Sequence, residues 1–363
     1  MSPVRCAVIG AGWWGTTAHV PALTRHPRAE LLAIQTTDAN SARKIAADFS
    51  VPHACETIDQ VLAIADLDAV VISSTPNLHY AQAAAALERG LHVLVEKPMT
   101  FTAAEARRLV ALAEQRRVHF LISCPWHYTS HAAEAQRLIQ TGRLGQVKMI
   151  SVLMTNFTLG LYKGLPWDAV FADSPTLQNA ATPYVKPAQQ SYSDPSIAGG
   201  GQIYCQFSHV GAYLGFLTGR RASEVFARFD TGGAEVDVHD VLNVKLDDGA
   251  LVSIATTGAT MLSDRQFEVR VFGTEGMILL ELWKGKMQFH GLRGEVTRYP
   301  DIPESEVYPL FAPAENLVDV VLGEAANRSP ASLGVVAMEI IDAACRSARE
   351  NRNVLTSSNG MAL

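Results

Sequence analysis

Residues 10–15 of this chain read Gly-Ala-Gly-Trp-Trp-Gly and follow directly on the apolar run Val4–Ile9. The run predicts a short buried strand, and the residues from Thr16 to about Arg25 predict a helix. Glycines between a strand and a helix permit a tight turn, close approach of the backbone to a pyrophosphate, and close packing of helix on strand. The start of the helix would present N–H groups and a partial positive charge to phosphates. We therefore predict a dinucleotide site here, in preference to a glycine-rich turn without a ligand.

The length and composition are those of a two-domain globular protein. A chain of 363 residues is long for a single hydrophobic core, and its 48% hydrophobic and 18% charged residues are ordinary contents. Its formal net charge of −6 gives no basic surface for nucleic acid, and no basic tail indicates a membrane surface. No signal peptide or apolar run of about 18 residues is evident. We expect neither nucleic acid nor membrane as a partner.

The cysteines indicate a reducing compartment. They number five, are widely scattered and form no CxxC pair; they are Cys6, Cys55, Cys124, Cys205 and Cys345. An odd number without such spacing fits free thiols better than a disulfide framework. We therefore expect a cytoplasmic protein, and we predict no metal site.

The first third of the chain alternates between two kinds of pattern. Short apolar runs occur at 31–35, 67–73, 91–95 and 120–124, and helical patterns occur at 41–49, 79–89 and 103–116. Strands separated by helices of this length predict a parallel, doubly wound sheet. Right-handed crossovers in such a sheet place the ligand crevice at the carboxyl ends of the strands.

Beyond residue 125 the pattern changes to that of an α+β domain with an antiparallel sheet. The predicted elements are a helix at 134–141, a strand at 147–154, a helix at 202–217, a hairpin at 240–257 with its turn at 247–249, strands at 266–272 and 277–283, and a helix at 333–349. Residues 157–198 lack periodicity, and an irregular segment of that length is usually a lid or a binding loop. We predict a dinucleotide-binding domain over 1–125 and a substrate-binding and oligomerisation domain over 126–363.

Five motifs together resemble the glucose–fructose oxidoreductase and inositol dehydrogenase family, often written Gfo/Idh/MocA. They are the glycine turn at 10–15, Ser-Thr-Pro-Asn-Leu-His at 74–79, Glu-Lys-Pro at 96–98, the glycine triplet at 199–201, and Phe-Gly-Thr-Glu-Gly at 272–276. The resemblance covers essentially the whole chain. It implies an N-terminal Rossmann doubly wound parallel sheet and a C-terminal α+β domain on an open, mainly antiparallel sheet that supports homodimers or homotetramers. It also implies an NAD(P)-dependent oxidoreductase acting on a secondary alcohol of a polyhydroxylated small molecule: a sugar, glycoside or cyclitol.

Lys97 follows a predicted strand, so it stands at the carboxyl end of the sheet, where a nicotinamide is expected. A lysine there can hydrogen-bond a substrate hydroxyl and stabilise an alkoxide as hydride leaves the same carbon. A surface lysine at the start of a loop is the ordinary alternative. The resemblance implies that Lys97 is catalytic.

His209 lies on the predicted helix that follows the glycine triplet. Spacings of three, four and seven residues place it on one face with Gln202, Cys205, Gln206 and Tyr213. A lone histidine on a helix face is more often structural, but the resemblance implies a catalytic or substrate-orienting role, for which its titration range is suitable. Many family members carry aspartate where this chain has Cys205. Gln202 and Gln206 could supply those hydrogen bonds instead.

The adenosine end of the cofactor site is less clear. An NAD-preferring site would place an acidic residue at the tip of the second strand, where this chain has Thr36 and Thr37. Asp38 could reach the ribose or cap a helix, and Arg43 or Lys44 could reach a 2′-phosphate. NAD and NADP therefore both remain open. The predicted cofactor-binding residues are Gly10, Gly12, Trp13, Trp14, Gly15, Thr36, Thr37, Thr75, Pro76, Asn77, His79, Glu96 and Lys97.

Residues 126–128 follow the last strand predicted for the first domain. Trp126 and Tyr128 could stack on the apolar face of a sugar ring, and His127 could bond a hydroxyl. Packing of the aromatic rings at the domain junction is an equal alternative. The predicted substrate-binding residues are Lys97, Trp126, His127, Tyr128, Gln202, Gln206 and His209.

Two function classes are compatible with these residues. The first is the oxidoreductase, with Lys97 and His209 as the proton-relay and alkoxide-stabilising residues. The second is a catalytically silent regulator of the same fold that binds dinucleotide and sugar without turnover. The presence of both Lys97 and His209 favours the enzyme, because a sensor needs no proton relay.

Overall fold

A computed structural model describes residues 2–171 and 184–356. Contacts divide the chain into two compact units. The first unit comprises residues 1–123, 166–191 and 310–331, and the second comprises 124–165, 192–309 and 332–363. The chain therefore leaves each unit and returns to it, whereas the predicted boundary at residue 125 divides it once.

Among the described residues the strands are, in chain order, β1 (Val4–Ile9), β2 (Ala29–Gln35), β3 (His53–Cys55), β4 (Ala69–Ile72), β5 (His92–Val95), β6 (Phe120–Ile122), β7 (Val147–Thr155), β8 (Ala222–Asp230), β9 (His239–Leu246), β10 (Leu251–Thr257), β11 (Gln266–Gly273), β12 (Gly276–Glu281), β13 (Lys286–Gly291), β14 (Val296–Arg298) and β15 (Val354–Leu355).

The α-helices in the same ranges are α1 (Val20–Arg25), α2 (Ala39–Asp48), α3 (Ile58–Leu62), α4 (Pro76–Glu88), α5 (Ala103–Arg116), α6 (Ser130–Gln140), α7 (Leu159–Tyr162), α8 (Trp167–Val170), α9 (Gln190–Ser193), α10 (Pro195–Ala198), α11 (Gln202–Cys205), α12 (Phe207–Thr218), α13 (Ala312–Val321) and α14 (Ala331–Glu350). Short 3₁₀ turns lie at Pro125–Tyr128, Leu262–Asp264, Leu282–Lys284 and Glu304–Glu306. Within the ranges that the structure describes, none of these helices could span a membrane.

The first unit contains a parallel sheet with the strand order β3-β2-β1-β4-β5-β6. This order places the reversal of winding between β1 and β4, where doubly wound folds bind their ligands. The central strands are apolar and buried, as a sheet covered on both faces requires. The predicted doubly wound parallel sheet is confirmed.

Helix α13 belongs to the core of the first unit although it lies far along the sequence. Its residues Ala314, Leu317 and Val318 are buried in the same hydrophobic cluster as Val8 and Leu94. Polar contacts add to this packing, since the side chains of His26 and Asp319 meet at 3.2 Å. The apolar face of α13 thus explains why residues 310–331 return to the first unit.

The second unit contains a mainly antiparallel sheet with the order β14-β13-β12-β11-β7-β10-β9-β8-β15, in which β7 and β10 pair in parallel. Its strands alternate between buried and exposed residues, so one face is covered and the other is open. On the covered side, Gly211 of α12 lets α14 approach closely, since a Cβ there would lie 2.7 Å from the Cα of Ala337. The predicted antiparallel sheet and the hairpin turning at 247–249 are confirmed.

Two sequence predictions between residues 157 and 217 are wrong in detail. The helix predicted over 202–217 is broken, because α11 ends at Cys205 and α12 begins at Phe207. The segment 157–198, predicted to be irregular, contains the short helices α7 to α10. Part of that segment, 172–183, lies outside the described residues.

Candidate active site

The glycine turn after β1 is held by its neighbours on both sides. Gly10 donates its N–H to Oε1 of Gln35 at 3.0 Å, and Ala11 donates to the Gln35 carbonyl at 2.7 Å. Gly10 has a φ of +77°, and a Cβ there would lie 2.3 Å from the backbone nitrogen of Ser74. The packing of the turn itself therefore requires glycine at position 10.

Gly12 differs from Gly10 in this respect. A Cβ on Gly12 would meet no described atom closer than the Gly10 carbonyl oxygen, at 4.0 Å. The protein's own packing therefore gives no reason for glycine at this position. Open space above the second glycine is what close approach of a pyrophosphate requires, so the turn fits a dinucleotide.

Thr36, Thr37 and Asp38 follow the tip of β2 and differ in their surroundings. Thr36 is buried and Thr37 is exposed. Asp38 caps α2, because its carboxylate accepts a hydrogen bond of 2.7 Å from the Ser41 N–H. Hydrogen bonds from Ser41 lower the pKa of Asp38. The helix-capping interpretation of Asp38 is thus confirmed.

The turn between β4 and α4 carries the predicted residues 75–79. Helix α4 begins at Pro76, and the Thr75 hydroxyl donates to the Asn77 side-chain oxygen at 2.7 Å. The His79 ring is buried between two carbonyl oxygens, with Nδ1 2.8 Å from Pro98 O and Nε2 3.0 Å from Ser74 O. Burial lowers the pKa of His79. This ring therefore links the turn after β4 to the segment after β5.

Glu96 directly follows β5. Its carboxylate is buried, and only 6% of the residue is exposed. Oε1 accepts hydrogen bonds from Trp14 Nε1 at 2.8 Å and His19 Nε2 at 2.9 Å, and Oε2 accepts one from the Lys97 N–H at 3.2 Å. Burial works to raise the pKa of Glu96, but the hydrogen bond and charge of His19 and the charge of Lys97 outweigh it and lower the pKa to about 2. The Glu96 anion is thus stabilised by hydrogen bonds and charges from the protein itself.

Lys97 is half-buried at the carboxyl edge of the parallel sheet, and the peptide bond to Pro98 is cis. The glycine turn, the 75–79 turn, Glu96 and Lys97 all follow neighbouring strands of one sheet. The structure thereby brings together the predicted cofactor-binding residues of the first unit at one edge.

Trp13 of the glycine turn contacts a residue that sequence analysis did not single out. Its ring centroid lies 4.6 Å from that of Trp167, which is 4.3 Å from that of Phe171. Both partners come from the returning segment 166–191 of the first unit. No local pattern relates this segment to residue 13.

Trp126 and His127 are buried within the second unit. Trp126 is 2% exposed, and its ring meets those of His209 and Phe267 edge-on at 5.0 and 4.9 Å. The His127 ring stacks on Phe216 at 4.6 Å. These placements favour packing over sugar stacking for Trp126 and over a hydroxyl contact for His127, whereas Tyr128 is half-buried.

The break in the helix changes the predicted face of residues 202–209. Gln206 lies between α11 and α12 with φ −111° and ψ −40°, so the spacing of three, four and seven residues does not continue through it. Gln202 lies in α11, and His209, which is 4% exposed, lies in α12. The prediction that Gln202, Cys205 and His209 share a single helical face is therefore wrong.

Asp237 explains the start of α11 and the last glycine of the triplet. Its carboxylate accepts hydrogen bonds from the N–H groups of Gly201 at 2.9 Å and Ile203 at 2.6 Å. A Cβ on Gly201 would lie 1.9 Å from the Asp237 carbonyl oxygen. Burial raises the pKa of Asp237. Gly201 is therefore needed because the backbone of Asp237 approaches it closely. Sequence analysis missed Asp237.

Gln202 is fully buried and bonded on one side. Its Oε1 accepts a hydrogen bond of 3.0 Å from the Tyr162 hydroxyl, and its Nε2 has no hydrogen-bond partner among the described residues. Burial raises the pKa of Tyr162 well above its ordinary value. A buried amide with unused N–H donors is suited to a polar ligand.

The strand order and the glycine turn define a dinucleotide-binding α/β protein with an antiparallel second unit. Residues 4–123 match the family model described as the oxidoreductase family, NAD-binding Rossmann fold, and residues 132–279 match the GFO/IDH/MocA C-terminal domain. The chain belongs to the Gfo/Idh/MocA family, whose members are NAD(P)-dependent oxidoreductases.

Known proteins similar to this chain include enzymes of sugar chemistry. An uncharacterized oxidoreductase of Synechocystis sp. is 28% identical over 300 residues, 79% of this chain and 74% of the relative. The D-xylose 1-dehydrogenase [NADP(+)] of Haloarcula marismortui is 32% identical over 165 residues, 44% of this chain and 45% of the relative. The solved levoglucosan dehydrogenase complex with NADH and levoglucosan shares the fold, with a TM-score of 0.79 at 20% identity over 98% of this chain and 100% of that chain.

Proposed function

We propose that this protein transfers hydride between a secondary alcohol of a sugar, glycoside or cyclitol and the nicotinamide of NAD or NADP. One observation carries the proposal: Lys97 stands at the same sheet edge as the glycine turn. The dinucleotide, when bound, supplies the hydride acceptor or donor. The predicted cofactor residues of the first unit would hold it, with Gly12 leaving room for the pyrophosphate.

In this proposal Lys97 acts on the substrate hydroxyl. A positively charged ammonium group can donate a hydrogen bond to the oxygen and stabilise the alkoxide that develops as hydride leaves the carbon. His209 completes the relay by exchanging the hydroxyl proton, a task that suits imidazole near neutral pH. Lys97 and His209 are thus assigned complementary roles in the proposed relay.

The second unit contributes polar groups for a polyhydroxylated ring. The buried Nε2 of Gln202 can donate to a hydroxyl, and the half-buried Gln206 and Tyr128 can add hydrogen bonds. The names of the xylose and levoglucosan enzymes support a sugar-like substrate. A regulator that binds sugar and dinucleotide without turnover is the second candidate, since it would use the same fold and the same binding groups.

The test is a panel of sugars, glycosides and inositols offered with NAD⁺ and with NADP⁺. Turnover is followed by the absorbance of the reduced nicotinamide, and binding by calorimetry. The proposal expects oxidation of at least one ring alcohol. Ligand binding without reduction of either dinucleotide, under any condition of the panel, would favour the regulator.

The open face of the second sheet supports homo-oligomer formation, as a homodimer or homotetramer. Met149, Leu153, Val241 and Leu251 are 37–58% exposed, and the strand register places them on one face, with Leu251 opposite Met149. Apolar patches of this kind often mark protein interfaces. We therefore assign a second copy of this chain to this face.

Sedimentation velocity tests this assignment. Val241→Glu and Leu251→Glu should yield monomers, and Leu292→Glu, at a residue 72% exposed elsewhere in the second unit, should leave the oligomer unchanged. A monomeric wild-type protein would contradict it.

The five cysteines, all among the described residues, form no disulfide. This supports our proposal of a reducing, cytoplasmic location.

A further inference from the structure

The Glu96 carboxylate joins the glycine turn to the segment that begins with Lys97. Trp14, inside the turn, donates its indole N–H to Glu96 at 2.8 Å. Lys97 donates its backbone N–H to the other carboxylate oxygen at 3.2 Å. Two parts of the chain that are 82 residues apart, counted from Trp14 to Glu96, therefore share one buried anion.

Two further elements complete this hydrogen-bond set. His19, in the π-helical turn Gly15–His19, is fully buried and donates to Glu96 at 2.9 Å. Ser123, at the end of β6, makes a side-chain hydrogen bond to the same carboxylate. The carboxylate thus ties together the segments that follow β1, β5 and β6. A one-turn π-helix inside a helical segment is frequent at functional sites.

The Glu96 carboxylate is ionised at neutral pH, because its pKa is lowered to about 2. The titratable groups facing it are His19, Lys97 and His79. A buried carboxylate costs several kcal/mol to desolvate, and it is retained only where its partners are well placed. Simple packing would be served equally by a neutral side chain of the same shape, so the charge itself calls for an explanation.

We propose that Glu96 is a positioning residue that couples the glycine turn to Lys97. Through its hydrogen bond with Trp14, Glu96 holds the glycine turn in the conformation that accepts a dinucleotide. Through its hydrogen bond with the Lys97 N–H, it fixes the position of the Lys97 backbone, from which the catalytic side chain extends. A displacement on one side is transmitted to the other through the shared anion. The assignment of Lys97 as catalytic rests on the proposed function, whereas the link between turn and anion does not.

The test uses two variants. Glu96→Gln removes the charge and keeps the side-chain shape, and Trp14→Phe removes the indole donor and keeps a smaller aromatic ring. Hydrogen bonds to charged groups contribute enough that each variant should weaken dinucleotide binding roughly 10-fold. Both substitutions act through the hydrogen bond between Trp14 and Glu96. The double variant should therefore lose about as much dinucleotide affinity as the weaker-binding single variant, and not the product of the two losses. Glu105→Gln is the matched control: Glu105 caps α5, and glutamine can fill the same capping role.

Turnover and its pH dependence separate positioning from a merely structural role. Glu96→Gln should lower kcat at least 10-fold at saturating substrate and dinucleotide. It should also shift the limb of the kcat/KM profile that reports Lys97 to lower pH, because the negative charge of the neighbouring Glu96 is lost. A fall in melting temperature alone, with kcat and the pH profile unchanged, would overturn the proposal.

Binding measurements keep the test decisive even without turnover. If no alcohol is oxidised, the proposed function fails, while calorimetric titration with NADH and NADPH still examines the link. Strongly non-additive losses for Trp14→Phe and Glu96→Gln support it. Independent, additive losses would overturn it, and so would dinucleotide affinities within twofold of the wild type. If Glu96→Gln does not fold, Trp14→Phe alone decides by the same affinity and kcat criteria.

Discussion

A Cβ on Gly10 would lie 2.3 Å from the backbone nitrogen of Ser74, a distance that real Cβ contacts do not reach. Gly10 therefore lets the turn after β1 lie directly against the turn after β4. Gly12, two residues later, has no such neighbour. The glycines of one motif thus separate into one that the fold needs and one whose space is left for a ligand.

Substitutions at these glycines should have opposite consequences. Gly10→Ala should reduce the free energy of unfolding by about 2–4 kcal/mol, because it combines a positive φ with a backbone clash. Gly12→Val should unfold at nearly the wild-type denaturant concentration but weaken dinucleotide binding roughly 10-fold or more. Urea denaturation and calorimetry measure the two effects. A folded Gly12→Val protein with wild-type cofactor affinity would remove the turn from the cofactor site.

His209 and Gln206 should affect different kinetic constants. His209→Ala should lower kcat roughly 10²-fold or more if the imidazole relays the substrate proton. Gln206→Ala should mainly raise KM, since it deletes a positioning hydrogen bond. Ser208→Ala, on the same turn of α12, is the control and should change neither constant by more than about twofold. Normal turnover in His209→Ala would show that this histidine is structural.

Cys205 should tolerate alanine and not aspartate. The thiol hydrogen-bonds with buried Tyr162, and Asp237 is close enough to influence the same tyrosine. A carboxylate at position 205 would add a charge beside Asp237, whose pKa burial already raises. We expect Cys205→Asp to lose about 1–3 kcal/mol of stability in urea denaturation, against less than 1 for Cys205→Ala. Equal stability of the two variants would contradict this account.

The stability of the first unit should depend on acid through Glu96. Its pKa is about 2, against an ordinary value of 4.5, so the folded protein holds its anion where the unfolded chain binds a proton. This contribution, roughly 3 kcal/mol, is fully present above pH 4.5 and is lost as the pH falls toward 2. Between pH 7 and pH 3 the wild type should therefore lose more stability than Glu96→Gln. Parallel losses in both proteins would argue against a strongly lowered pKa.

The features that sequence analysis predicted correctly depend on local signals. The bounds of β1, Val4–Ile9, and of α5, Ala103–Arg116, agree with the structure residue by residue. An apolar run before glycines marks the strand, and a capping box formed by Thr102 and Glu105 marks the start of the helix. The capping role of Asp38 follows from the same kind of local chemistry.

The features that sequence analysis missed depend on distant partners. The start of α11 depends on Asp237, which binds the backbone at Gly201 and Ile203 from a later part of the chain. The burial of Trp126 follows from rings such as Phe267, far along the sequence. Trp167 returns to the first unit and contacts Trp13. Periodicity carries no information about such pairs, because it reports only the neighbours within one element.

Replacement of Lys97 tests the central claim most directly. Lys97→Ala, assayed with the substrate that the panel identifies, should lose about 10²–10⁴-fold in kcat, the usual contribution of an acid–base group. Its dinucleotide affinity should stay within about threefold of the wild type, since the glycine turn is unchanged. Lys284→Ala, at an exposed ion pair in the second unit, controls for loss of a positive charge. A Lys97→Ala protein with near-normal turnover would contradict the account.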